Sequence, residues 1–104
     1  MSLNRRQKQV HEWVTQLKIE YWKPLEIMAR LTEESGELAR ELNSVYGPKK
    51  KKSTEQTKEI SDEISDIIFT LICLANSLNI DLDQSFDKMM KKYQIRDKDR
   101  WEQK

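Results

Sequence analysis

Apolar residues recur three, four and seven positions apart in four stretches of this chain, the spacing of one face of an α-helix. Val10, Trp13, Val14 and Leu17 predict a first helix, with Asn4 placed to cap it. Pro24 suits the first turn of a second helix, where its missing N–H costs nothing. Leu25, Met28, Leu31, Leu38 and Leu42 continue the predicted buried face of that helix, and Gly47-Pro48 stops it. Ser53 and Gln56 have the spacing of a capping box for a third helix, which carries the stripe Ile60–Ile64–Ile67–Leu71. Asp81 with Gln84 caps a fourth, whose predicted buried face is Phe86, Met89, Met90 and Tyr93. The pattern predicts one all-α domain over residues 1–104, a bundle of about four helices, with Asp97 to Lys104 as a partly ordered tail.

From Ile64 to Leu78 the third helix is apolar on nearly every side. Such a helix has to be covered all round. Three other short helices are too few to cover it, so the expectation is a homodimer or homotetramer.

Composition narrows the function classes. A formal net charge of +1 argues against dedicated nucleic-acid binding. One cysteine allows no internal disulfide, and the start lacks an apolar signal region, so a cytoplasmic protein is expected. The longest apolar run, Ile67 to Ala75, is broken only by Thr70 and falls far short of the ~20 residues that span a bilayer. No Gly-rich phosphate loop, Ser/His/Asp set or C-x-x-C is present.

The chemistry is concentrated in two acidic stretches, Glu33-Glu34-Ser35-Gly36-Glu37 and Glu63-Ile64-Ser65-Asp66. Residues three apart on a helix share a face with Cβ atoms about 5–6 Å apart, which pairs Glu34 with Glu37 and Glu63 with Asp66. Glu34 borders the apolar arc of its helix, Glu37 comes next, and Glu33 points farther towards solvent. Glu59, Glu63 and Asp66 cluster beside the apolar stripe of theirs. In a chain that is 36% charged, one such pair is ordinary helix surface. Two pairs bordering core stripes on facing helices instead predict an oxygen cage for a hard cation such as Mg²⁺.

E-E-x-x-E followed, after 25 intervening residues, by E-x-x-D resembles the signature of the MazG-like nucleoside triphosphate pyrophosphohydrolases. The likeness extends to Tyr21-Trp22-Lys23-Pro24-Leu25, to Arg30-Leu31-Thr32 ahead of the acidic stretch, to Leu74-Ala75-Asn76-Ser77-Leu78, and to Arg96-Asp97-Lys98-Asp99-Arg100-Trp101. It covers nearly the whole chain and is similar to the short, single-domain type. Ser35 departs from it, standing where a Leu is common.

The resemblance implies Mg²⁺-dependent hydrolysis of a nucleoside triphosphate to monophosphate and pyrophosphate, with Mn²⁺ as the alternative ion. Glu34, Glu37, Glu63 and Asp66 would hold the metal, and Glu33 a second metal or the proton of the attacking water. Lys88, Lys92 and Arg96, four apart along one row, would by themselves read as a solvated face; the family places phosphate-binding residues in this region. Trp13, Trp22 and Asn76 are candidate base contacts, with core packing the plainer role for either Trp. Thr70, Cys73 and Ser77 leave room for a ligand or for close helix packing. The run Lys49 to Lys52 reads first as a solvated loop and second as one that closes over triphosphate. His11 reads as structural. The competing reading is a non-enzymatic helical module that binds a partner and responds to neither Mg²⁺ nor nucleotide.

Overall fold

Ser2, rather than Asn4, caps the first helix: its hydroxyl accepts the N–H of Arg5, and α1 runs Leu3–Val14. Asn4 lies inside the first turn and reaches across to the fourth helix instead, donating to Asp81 at 2.9 Å. The structure, a computed structural model, describes residues 2–48, 60–102 and 104. Among these it holds four helices and no strand, with α2 at Pro24–Tyr46, α3 at Ile60–Ser77 and α4 at Leu82–Arg96. The lysine run 49–52, the Ser53/Gln56 cap and Glu59 fall outside the described residues. No single helix is long and apolar enough to cross a membrane.

The helix ends follow local chemistry. Pro24 opens α2, and the Glu26 side chain accepts the Lys23 N–H at 3.0 Å. Gly47 ends α2, and a Cβ there would come within 3.0 Å of the Asn43 backbone. α3 closes with Asn79 in the left-handed region, φ 56°, while the Ile80 N–H bonds back to the Ala75 carbonyl at 2.8 Å. This is the Schellman arrangement, with Asn serving where Gly is commoner. Asp81 caps α4 through the Gln84 N–H.

α2 packs along α3, α1 lies on α3, and α4 meets α1. The face α2 turns to α3 carries Ile27, Glu34 and Glu41, buried at intervals of seven residues. The expected face is thereby corrected: Leu31 and Leu38 are half-buried along the seam, whereas Leu25 is 85% exposed and Met28 and Leu42 are also exposed. Leu17 falls beyond the end of α1 and is exposed too. On α4 no residue is buried: Phe86, Met90 and Tyr93 are each more than a third exposed, and Met89 is only half-covered. The expected single-chain core therefore stops at α1, α2 and α3. A radius of gyration of 17.4 Å, against about 13 Å for a compact chain of this length, reflects that openness.

α1 and α4 are joined at their N-termini. Asp83 accepts the N–H groups of Leu3 and Asn4, which have no partner within α1. Gln7, buried, links three elements: its Nε2 donates to Asn76 of α3 and to the Ile80 carbonyl, and its Oε1 accepts from Leu82 N–H of α4.

Candidate active site

The packing of α2 along α3 brings Glu34 and Glu37 against Glu63, one carboxylate oxygen of each lying within 4.8 Å of the others. Glu34 and Glu63 are each 1% exposed, while Glu37 reaches solvent. Burying a carboxylate is costly unless a partner compensates it. For Glu34 one oxygen is compensated: Arg30, one turn earlier on α2, lies 2.6 Å from Oε1. Oε2 is buried with no hydrogen-bond donor on it. Burial therefore pushes the Glu34 carboxyl above its usual range; Arg30 opposes this, and Glu37, Asp66 and Glu63 add to it.

These features fit a hard divalent cation. The donors are all carboxylate oxygens, as Mg²⁺ and Mn²⁺ require. In an octahedron with bonds of about 2.1 Å, neighbouring oxygens lie about 3 Å apart and opposite ones about 4.2 Å. Oxygens within 4.8 Å thus need only a small inward closure to share an ion. The orphaned Oε2 of Glu34 supplies a lone pair already stripped of water.

Asp66 stands outside this group of three but lines the same cavity as Glu34 and is near enough to act on its charge. The cavity has a volume of about 480 Å³. Arg30, Glu34 and Asp66 make it polar along one part of the wall; Trp13, Tyr21, Trp22 and Phe69 line another part. Trp13 and Phe69 meet edge to face at 6.0 Å. Trp22 is half-exposed, and it lines the cavity as a base contact would require. Thr70 and Cys73 also line it, and burial raises the Cys73 thiol pKa; Ser77 does not.

Three expected site features are placed elsewhere. Asn76 does not reach the cavity: its Nδ2 donates to the Gln7 carbonyl and the Tyr21 hydroxyl, and its Oδ1 accepts from Gln7. Both amide hydrogens are spent on holding α1 and Tyr21 to α3. Glu33 is 69% exposed, 4.0 Å from Arg30, and belongs to neither the carboxylate group nor the cavity wall. Lys88, Lys92 and Arg96 are exposed on α4 and line no part of the cavity; Arg96 forms two hydrogen bonds to Asp97 and lies over the Tyr93 ring. In a single chain the basic row and the acidic group are apart.

The sequence alone assigns no role to two further contributors. Arg30 is the one cationic side chain of the cavity wall among the described residues, and its i,i+4 spacing to Glu34 was the available signal. Tyr21 is held at the wall by the amide of Asn76 at 3.0 Å and by His11 Nδ1 at 2.8 Å, with the two rings stacked. His11 is structural, as expected, and its partner is a residue of the cavity.

Residues 23–101 match the family model of the MazG nucleotide pyrophosphohydrolase domain. The chain is 53% identical over 98 residues to YpjD of Bacillus subtilis (strain 168), covering 94% of this chain and 88% of that protein. The crystal structure of Bacillus subtilis YpjD superposes with a TM-score of 0.79 at 48% identity, over 89% of this chain and 95% of the other. A second crystal structure, of the Bacillus-conserved MazG protein, a nucleotide pyrophosphohydrolase, gives a TM-score of 0.77 at 43% identity over 89% and 90% of the two chains. The match to the family model spans both acidic stretches and the helices that bring their carboxylates together. The chain belongs to the MazG nucleotide pyrophosphohydrolase family.

Proposed function

We propose that this protein hydrolyses nucleoside or deoxynucleoside triphosphates to the monophosphate and pyrophosphate, as a cytoplasmic enzyme of nucleotide-pool maintenance. The observation that carries this reading is Glu34: a fully buried carboxylate with a donor-free oxygen, clustered with Glu37 and Glu63 beside a cavity that also has an aromatic wall. Polyphosphate and nucleobase need those two environments side by side.

Glu34, Glu37 and Glu63 would hold the ion, with Asp66 beside them at the cavity wall. Mg²⁺, or Mn²⁺ in its place, would supply positive charge to phosphate oxygens and make a water more acidic. Trp22 and Tyr21 offer ring faces to the base, and the fixed Tyr21 ring loses no further freedom when a ligand arrives. The attacking water forms a bond to the α-phosphorus as the bond to the bridging oxygen of pyrophosphate breaks. The water's proton needs a carboxylate that is not saturated by the ion. Asp66 lies closer to that role than Glu33, because Asp66 lines the cavity and Glu33 faces solvent beside Arg30.

The assembly belongs to the same proposal. The uncovered apolar side chains of α4 support a homodimer or homotetramer, in which Lys88, Lys92 and Arg96 could reach a neighbouring chain's phosphates. The test is release of pyrophosphate from a panel of standard, deoxy and damaged triphosphates, with Mg²⁺ and with chelator. Release that requires the ion supports the reading. A panel without any turnover, together with no effect of Mg²⁺ or nucleotide on melting, would favour the partner-binding module.

A further inference from the structure

Arg30 is the one residue of the cavity whose position is hard to reconcile with a passive role. Its guanidinium lies 2.6 Å from Glu34 Oε1 and 4.0 Å from Glu33 Oε2. It remains 48% exposed, so its pairing with Glu34 is made at the boundary between cavity and solvent. One oxygen of the Glu34 carboxylate is thereby paired with a side chain, and the other is buried without a hydrogen-bond partner.

A divalent cation held by Glu34, Glu37 and Glu63 would share the Glu34 carboxylate with that guanidinium. Two cations sharing one carboxylate repel, and the more mobile of them yields. The Arg side chain is the mobile one, with a long stem already half in solvent. Its planar fork is suited to bidentate contact with phosphate oxygens. No other Lys or Arg among the described residues lines the cavity, and the basic row of α4 lies elsewhere in the chain.

We propose that Arg30 is a two-position residue. In the ion-free protein it stands in for the metal on Glu34; once the carboxylates are engaged by an ion, it turns from Glu34 to the phosphate chain of the substrate. This extends the pyrophosphohydrolase reading above and rests on it for the identity of the substrate. The exchange also explains how Glu34 stays ordered at 1% exposure before any ion arrives.

The two positions give opposite signs in two binding measurements that need no turnover. Arg30→Met keeps the apolar stem and removes the charge. Titration of Mn²⁺ alone, followed by electron paramagnetic resonance, should show three- to tenfold tighter binding than wild type, because the competing cation is gone. Titration of an α,β-methylene nucleoside triphosphate in saturating Mn²⁺ should show binding at least tenfold weaker, because a phosphate contact is gone. Arg30→Lys should restore the Mn²⁺ affinity towards wild type and recover the triphosphate affinity only in part. Circular dichroism of each variant reports whether the helices are intact. If Arg30→Met weakens both ligands together, Arg30 merely supports the local structure and the proposal is overturned. If neither affinity changes, or wild type binds neither ligand, it is likewise overturned. Absence of pyrophosphate release by a wild-type protein that still shows the opposite signs would refute the proposed reaction and leave the role of Arg30 intact.

Discussion

Gln7 and Asn76 bond to each other in both directions: Gln7 Nε2 donates to Asn76 Oδ1 at 3.0 Å, and Asn76 Nδ2 donates to the Gln7 carbonyl at 2.9 Å. The same glutamine accepts the Leu82 N–H that leads into α4, and the same asparagine holds the Tyr21 hydroxyl at the cavity wall. One polar pair, Gln7 buried and Asn76 half-buried, therefore fixes α1 on α3, the start of α4, and one ring of the candidate base-binding wall.

Gln7→Leu should consequently do more than its single-residue size suggests. Leaving buried polar partners unmatched costs about 1–3 kcal/mol each. Thermal unfolding of Gln7→Leu is expected to shift down by at least about 4–8 °C, the value of about 1 kcal/mol in a domain this size. A variant as stable as wild type would show that water replaces the pair at no cost.

Stability of the ion-free protein should depend on pH through Glu34. Its carboxyl is raised above 4.5 in the folded state, chiefly by burial, so the folded state holds a proton at pH values where the unfolded chain has released it. Stability then falls as pH rises from 4.5 through the raised pKa. Asp81 and Asp97 act in the opposite sense and only below 3.8, because the Gln84 N–H and the Arg96 guanidinium lower their carboxyls. Melting in chelator from pH 4.5 to 7.5 should show wild type losing stability relative to Glu34→Gln; a gain relative to that variant would contradict the assignment.

The uncovered face of α4 should be covered in solution. Phe86, Met90 and Tyr93 are all more than a third exposed in the single chain. Light scattering at micromolar concentration is expected to report a dimer or tetramer, and Phe86→Ser with Met90→Ser should lower the mass. A clean monomer near 12.5 kDa would sink the claim.

Asp66→Asn and Glu34→Gln should each cut turnover by at least about 100-fold, since even outer-shell partners of metal ligands are worth 10–100-fold. The double variant should lose little more than the worse single one, because both act on one centre. Steady-state rates with melting curves as a fold control decide this. A fully active Asp66→Asn protein would remove Asp66 from the site.

Much of the fold was legible because helix ends are local events. Pro24, Gly47 and the Asp81 cap sit where their backbone chemistry demands. The acidic pairs were legible for a related reason, since a spacing of three fixes a shared helix face. What spacing does not say is which face meets which surface. Leu25 and Met28 obey the apolar period of α2, yet α2 turns Glu34 and Glu41 inward and leaves those two exposed. Phe86 and Tyr93 obey the period of α4, yet both stay more than a third exposed. The packing role of Asn76 is not legible in the sequence, because its partner Gln7 lies 69 residues away, a pairing that only tertiary packing reveals. Lys88, Lys92 and Arg96 join the acidic group through charge and the family resemblance, and in one chain they do not line the cavity.

The proposed reaction is attack of water on the α-phosphorus of a nucleoside triphosphate, at the carboxylate group of Glu34, Glu37 and Glu63. Turnover in H₂¹⁸O followed by ³¹P NMR tests it directly, since each bound ¹⁸O shifts the resonance of its phosphorus. One ¹⁸O is expected on the monophosphate and none on pyrophosphate. Label in pyrophosphate would place the attack on the β-phosphorus, and label in orthophosphate with a diphosphate product would mean γ-phosphate hydrolysis; either result would contradict it.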